Sequence, residues 1–256
     1  MTDVTRALSR SFLVTILTAV TAVAAVGGEG LVQQGDRHAA AFENAKALEC
    51  YRKAYATAPD DADLLTKLTW AYNNVGEDLA SKASEAYFEE AVRHAEALER
   101  LAPTRASTYV LLAITRGNLA LHRGGRQKVV LSRTLEHDAR RAIELDPACS
   151  PAYATLGIYY REVAGLNWFL RKVAEELLGG LPGGTLEDSE RMLRKAIEAD
   201  PGNVYAHYQM ALTLEALKRP AAAREFYGKV LSLPVVDHQD PLFREWSSQR
   251  LAKLGA

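Results

Sequence analysis

Five segments of the chain end in the same way, and this recurrence limits what the chain can fold into. Each spans thirteen residues, carries small or apolar side chains at helical spacing, and stops at a proline, which cannot continue a helix. A second amphipathic helix is predicted between each proline and the next segment, most clearly at 64–76, 109–121, 153–164 and 205–217. The five prolines are Pro59, Pro103, Pro147, Pro201 and Pro234. This pattern predicts an all-α chain built from recurring helix pairs.

The distance between successive prolines shows how the pairs differ in length. The prolines are 44, 44, 54 and 33 residues apart, whereas a tetratricopeptide repeat, a helix–turn–helix unit that ends in proline, has about 34 residues. The excess falls between the first and second helix of three pairs, at 77–85, 122–132 and 165–186. All three extensions therefore lie on one edge of the stack, where we expect longer helices and a deeper groove.

We therefore predict a tetratricopeptide-repeat solenoid over residues 30–256, with about five helix pairs and extended connections between first and second helices. A further amphipathic helix at 241–254 is expected to cap the stack, as terminal helices of solenoids do. Filling of the groove by this same helix is the alternative.

The N-terminus has the pattern of an export signal. Arg6 and Arg10 precede an apolar stretch at 12–26, in which residues 22–24 form an Ala-x-Ala cleavage site. A helix over this stretch would span about 22 Å, less than the roughly 30 Å of a hydrocarbon core, which favours a cleaved signal over residues 1–24. An uncleaved membrane anchor is the alternative. Either way we expect an exported protein of the periplasm or cell envelope.

The first helix of each pair is expected to line the concave side of the array, which is the usual binding surface of such solenoids. Arrays that capture an acidic peptide C-terminus place lysine and asparagine at the first two inward positions, where the second repeat has Thr66 and Trp70. We therefore expect no carboxylate clamp and a mostly apolar groove. The predicted groove residues are Trp70, Asn73, Asn74, Val110, Ile114, Arg116, Asn118, Ile158, Arg161, Tyr205, Tyr208 and Leu212.

Arg116 differs from its neighbours because it lies inside an otherwise apolar helix, at a site that a packed tyrosine usually occupies. A buried or half-buried arginine needs an anionic partner. We predict that Glu162 of the neighbouring repeat supplies it. A carboxylate or phosphate of a ligand is the alternative.

The longest extension, at 165–185, predicts a short amphipathic helix that carries Trp168 and Phe169. Thr185 is expected to cap the next helix, with Asp188 three residues further on. We expect Trp168 and Phe169 to pack over the rim of the stack. Peripheral contact with a membrane is the alternative, since basic residues follow the two aromatic ones.

Charge and motif content argue against several functional classes. The net charge of −1 gives no reason to expect nucleic acid as a partner. The glycine pairs belong to no phosphate loop, the six histidines fall singly, and no Gly-x-Ser-x-Gly nucleophile motif occurs. Cys50 and Cys149 are interpreted as small apolar fillers. We therefore predict neither an enzyme nor a metal site or cofactor.

The stretch from 153 to 201 resembles the tetratricopeptide domain of the regulator of microtubule dynamics family and its bacterial relatives. The likeness covers roughly 38–254 and includes all three extensions. It implies a protein without catalysis; family members associate with microtubules or organelle membranes, and one binds and transfers phospholipids. The residues that carry the resemblance are Leu156, Gly157, Glu162, Val163, Ala164, Leu166, Trp168, Gly179, Gly180, Leu181 and Pro182.

Together these features predict a non-catalytic tetratricopeptide-repeat scaffold of the cell envelope that binds a protein partner. Because of the export signal, we do not expect a meeting with tubulin. The alternative is a protein that binds or transfers a lipid or another apolar ligand in the groove, on the side chains of Trp70, Ile114, Ile158, Tyr208 and Leu212.

Overall fold

The computed structural model describes residues 30–79, 81–123, 125–166, 172, 175–176 and 184–255. The predicted signal segment at 1–24 lies outside the described residues, and so do Trp168 and Phe169. Within the described part of the chain, no helix combines the length and the hydrophobicity needed to span a bilayer.

The described residues form eleven α-helices and no strand, as the proline pattern predicts. The first ten pack as five consecutive pairs, and the last follows as a single helix. In chain order the helices are α1 (30–40), α2 (Asn44–Tyr55), α3 (Ala62–Leu79), α4 (Ser84–Leu101), α5 (Ala106–His122), α6 (Gly125–Leu145), α7 (Ser150–Ala164), α8 (Leu186–Ala199), α9 (Val204–Ala216), α10 (Pro220–Ser232) and α11 (Asp240–Gly255).

Helix lengths show where the extra residues of the longer repeats lie. In the fifth pair, α9 and α10 have 13 residues each, whereas in the second pair α3 and α4 have 18 each. The ten additional residues are therefore shared equally between the two helices of that pair. In the third pair α5 has 17 residues and α6 has 21. Both pairs extend at the end where the first helix leads into the second.

In four of the five pairs the two helices approach closely because the first helix has a glycine that faces the second helix. A Cβ atom on Gly76 would lie 2.6 Å from the ring of Phe88, and one on Gly157 would lie 2.6 Å from Leu193 Cγ. Gly35 and Gly117 face the second helix of the first and third pairs in the same way, towards Tyr51 and Leu135. These glycines recur every 40 or 41 residues, a repeat that is more regular than the spacing of the prolines.

The apolar core runs continuously between the inner layer of first helices and the outer layer of second helices. Ile143 of α6 packs against all three clusters of buried residues, and so joins the two halves of the array. At the C-terminal end, Phe243 of α11 is 5% exposed and packs with Tyr208. Helix α11 thus covers the end of the stack, as predicted. Thr185 and Asp188 form the predicted capping box at the start of α8.

Candidate binding groove

The first helices form a continuous inner layer, because α3 contacts α5, α5 contacts α7, and α7 contacts α9. Polar side chains join neighbouring helices at several points of this layer. The Asn118 amide donates to Asn73 Oδ1 and to Glu77 Oε1, both at 2.8 Å. Arg161 donates to Gln209 Oε1 at 2.8 Å and to the Gln209 carbonyl at 3.1 Å. Asn118 and Arg161, which were predicted to line the groove, therefore link neighbouring first helices.

The residues predicted to line the groove differ in how far they are exposed. Asn73, Val110 and Tyr208 are buried, so their surfaces are already covered by the protein itself. Tyr205 is the most exposed of the set, at 38%. The partly exposed members are Trp70, Asn74, Ile114, Asn118, Ile158, Arg161 and Leu212.

Arg116 has the internal ion pair that its burial requires, but its partner is not the predicted one. Its guanidinium donates to Asp138 Oδ2 of α6 at 2.5 Å and to Glu96 Oε1 of α4 at 3.2 Å. Glu162 lies instead beside Arg161. Because α4 and α6 are second helices, Arg116 points towards the outer layer and is not a groove residue. Burial raises the pKa of Asp138, and the charge of Arg116 opposes that effect.

The segment between α10 and α11, residues 233–239, connects the end of the array to its second repeat; we call it the C-terminal linker. Its His238 side chain is 6% exposed and lies between two carboxylates of α3. Nδ1 is 2.9 Å from Asp78 Oδ1, and Nε2 is 3.2 Å from Glu77 Oε2. The contact with Asp78 joins residues that are 160 positions apart in the chain.

Burial alone would lower the pKa of His238. The hydrogen bonds to Glu77 and Asp78 and the nearby charge of Asp237 outweigh burial and raise the pKa to about 9. The imidazole is therefore a cation at neutral pH. Sequence reasoning missed this contact, although Glu77 and Asp78 lie in one of the predicted extensions. A polar linker gives no sequence signal for a partner so far away.

Amide side chains from three helices hold the two carboxylates of α3 in place. Asn44 of α2 donates to Asp78 Oδ2 at 2.9 Å. Asn73 donates to Glu77 Oε1 at 3.0 Å, and Asn118 donates to the same oxygen. The acidic pair is thus positioned by the fold rather than by His238 alone.

A pocket of about 310 Å³ opens between α9 and α11. Tyr208 and Trp246 form its apolar side, and Trp246 is 38% exposed. Gln249, Arg250 and Lys253 form its polar side. Within the described ranges, no group of three His, Cys, Asp or Glu side chains is arranged to hold a metal ion.

Comparison with known proteins assigns this architecture to a family. The model of the family described as regulator of microtubule dynamics protein 1-3 matches residues 31–255. The chain belongs to this family. Among relatives in it, regulator of microtubule dynamics protein 3 of Mus musculus is 26% identical over 186 residues, which cover 72% of this chain and 39% of the relative. Protein 1 of Bos taurus is 26% identical over 161 residues, covering 62% of this chain and 50% of the relative.

The chain thus aligns with half or less of these two regulators of microtubule dynamics. A solved structure of a thermophilic tetratricopeptide-repeat protein from Thermus thermophilus superimposes with a TM-score of 0.66 at 16% identity. It covers 88% of this chain and 99% of the solved one. This similarity shows that the family member described here has the tetratricopeptide-repeat fold.

Proposed function

We propose that this chain is a non-catalytic scaffold that holds a protein partner on the concave face of its first helices. The observation that supports the proposal is a row of partly exposed apolar side chains, one on each of four consecutive first helices: Trp70, Ile114, Ile158 and Leu212. Neighbouring helices pack about 8–10 Å apart, so a helix or extended segment crossing them meets an apolar anchor at every step. The relatives are named as regulators, which also favours a binding role.

Site-specific crosslinking tests this proposal. A photoreactive amino acid is placed at Ile158 or Leu212 in the full chain and is activated in cells. A matched control carries the same group at Glu198, which is exposed on the second helix α8. We expect one and the same protein to be crosslinked from both groove positions and not from Glu198. Crosslinking from all three positions alike, or from none, would contradict a partner on the concave face.

The alternative function is binding or transfer of a lipid or another apolar ligand in the groove. The same apolar row supports it, together with the aromatic side of the pocket beside Tyr208 and Trp246. Native mass spectrometry of protein purified from cells should then show a co-purifying lipid. The double variant Ile114→Glu, Ile158→Glu should lose uptake of fluorescent phospholipid but keep its helicity by circular dichroism. A clean apo mass without uptake argues against the carrier and leaves the scaffold.

We further propose that the protein works in the cell envelope, on the basis of the signal-like segment at 1–24. Alkaline phosphatase is active only after export, so its fusion behind residue 30 should be active, and a fusion lacking 1–24 should not. N-terminal sequencing of the mature chain separates a cleaved signal from an anchor.

Contact of Trp168 and Phe169 with a membrane is tested by vesicle flotation, with both residues replaced by serine as the control.

A further inference from the structure

We infer that the C-terminal linker is a clasp: His238 fastens the exit of the last repeat to the second repeat, and breaking this contact opens the concave face. The inference does not depend on whether the groove holds a protein or a lipid. It assigns a conformational role to residues that line no part of the apolar row.

The clasp differs from the other contacts of a solenoid because it bypasses the intervening repeats. In repeat arrays each unit contacts its neighbours, and the curvature is the sum of small rotations from one unit to the next. Such curvature is soft, because small changes at each interface add up along the array. The contact from His238 to Glu77 and Asp78 skips the third and fourth repeats. It therefore directly restrains the total rotation between the second and the fifth repeat.

The acidic half of the clasp is supplied by the lengthened part of the second repeat. Helix α3 starts at Ala62 and runs for 18 residues, whereas α9 has 13. A first helix of the shorter length would end at residue 74 and would reach neither Glu77 nor Asp78. The extension therefore has a specific use: it carries two carboxylates out to where the linker passes.

The basic half is held in shape by the linker itself. Pro234 follows the end of α10 and prevents its continuation. The Asp240 carboxylate then accepts from the backbone amides of Val236 at 2.8 Å and Asp237 at 2.9 Å. Asp240 is 2% exposed, so this turn is anchored in the protein. His238 is thereby presented to α3 without further ordering of the linker.

The clasp depends on the positive charge of the imidazole. Both ring nitrogens face carboxylate oxygens, which only accept hydrogen bonds when ionised, so both nitrogens must carry a proton. The other carboxylate near the ring is that of Asp237, with Oδ1 at 3.8 Å from Nε2, and the phenol of Tyr205 interacts with the charge of Glu77. A neutral ring would leave three carboxylates facing one another with no cation between them. Loss of the proton should therefore release the linker.

Distance measurement between spin labels tests the clasp in the full chain. One label is placed at exposed Lys82, just after α3, and the other at exposed Ser248 on α11. The buried native cysteines Cys50 and Cys149 are replaced by alanine. A control pair, at exposed Lys53 and Lys82, lies wholly within the first two repeats, on the N-terminal side of the segment that the clasp spans. At pH 7 we expect a narrow distance distribution for both pairs.

His238→Gln keeps a polar side chain but removes the charge, and it should broaden and lengthen only the distance between 82 and 248. His238→Arg keeps the charge and should leave the distance narrow. Raising the pH to 10 should make the parent chain behave like His238→Gln and should not change that variant further. An unchanged distance in His238→Gln overturns the inference.

If His238→Gln also broadens the control pair, the charge-swapped variant Asp78→Lys with His238→Asp decides the question. The swap places the cation on α3 and the new carboxylate on the linker. Restored narrow distributions for both pairs support an ionic clasp. Distributions that stay broad at 82 and 248 overturn it.

Discussion

His94 shows how burial sets the pH response of a single side chain. It is 5% exposed, lies between the rings of Tyr55 and Tyr72, and has a pKa lowered to about 4, first by burial and then by the charge of Arg93. In the unfolded chain it takes up a proton below about 6.5, but in the folded chain only below about 4. Protonation therefore favours the unfolded state, and the free energy of unfolding should fall as the pH drops from 6.5 to 4.

At about 1.4 kcal/mol per pKa unit, the difference between the folded and unfolded pKa values of His94 corresponds to about 3 kcal/mol in the free energy of unfolding. His94→Gln should remove this part of the acid destabilisation, whatever it costs in packing at pH 7.5. Urea unfolding at several pH values measures the effect as the slope of the free energy of unfolding against pH. Equal slopes for His94→Gln and the parent chain would show that His94 does not carry the response.

The Arg116–Asp138 pair makes a second prediction at the scale of residues. Asp138 is 3% exposed, and its other neighbour, His137, is 79% exposed, so removing Arg116 would leave the buried charge poorly compensated. Arg116→Met should therefore lower the free energy of unfolding by about 3–5 kcal/mol. The double variant Arg116→Met, Asp138→Leu should regain most of that loss, since both charges are then absent. Urea unfolding at pH 7 compares the two, and a double variant no more stable than Arg116→Met alone would refute the pairing.

Two glycines, one in the fourth helix pair and one in the fifth, are expected to respond in opposite ways to replacement by alanine. A Cβ on Gly157 would lie 2.6 Å from Leu193 Cγ and 3.2 Å from the Ser189 carbonyl, so Gly157→Ala should force α7 and α8 apart and cost about 1–3 kcal/mol. Gly228 lies inside α10 with no atom within 4 Å of that position, so Gly228→Ala should stabilise the helix by about 0.5–1 kcal/mol. Thermal unfolding measures both, and effects of the same sign would contradict the close-packing argument.

The helix pairs themselves were predictable from the sequence because their signals are local. Proline marks the end of each second helix, and the excess between prolines lengthens the helices of the second and third pairs. In the fourth pair α7 and α8 have only 15 and 14 residues, so the largest excess does not lengthen them in this way. The partner of Arg116 was harder to predict, because periodicity gives the face of a helix but not which of two neighbouring helices meets it. Asp138 and Glu96 lie on that face from two different repeats.

The position of His238 could not be predicted, because it depends on the whole superhelix. Its approach to Asp78 follows from the relative rotation of four successive repeats, and a few degrees of change in each would move the linker away from α3. The residues near 238 give no information about the total rotation over these four repeats. The apolar row could be predicted from the sequence, because that prediction required only the inward face of each first helix. Its members are Trp70, Ile114, Ile158 and Leu212.

For the whole molecule, the clasp should change how unfolding is distributed along the array. Without it, an array stabilised by contacts between neighbours frays from its ends, and the capping helix α11 opens at a lower free energy than the middle of the array. With it, α11 cannot leave without breaking the contact to α3, so α11 and α3 should share one opening free energy. Hydrogen exchange at pH 7, followed by mass spectrometry of peptides, resolves the two helices.

In His238→Gln the protection of α11 should fall by roughly 1.5–3 kcal/mol, the range for hydrogen bonds to charged groups, while α5 and α6 keep theirs. His238→Arg serves as the control and should preserve the shared value, since an arginine can also donate to both carboxylates. Uniform loss along the chain would mean that His238 only adds stability. Loss of protection confined to α11 and to the end of α3 that carries Glu77 and Asp78 would mean that the linker couples the terminal helix to the second repeat. The contacts between neighbouring repeats would then behave as a single cooperative unit.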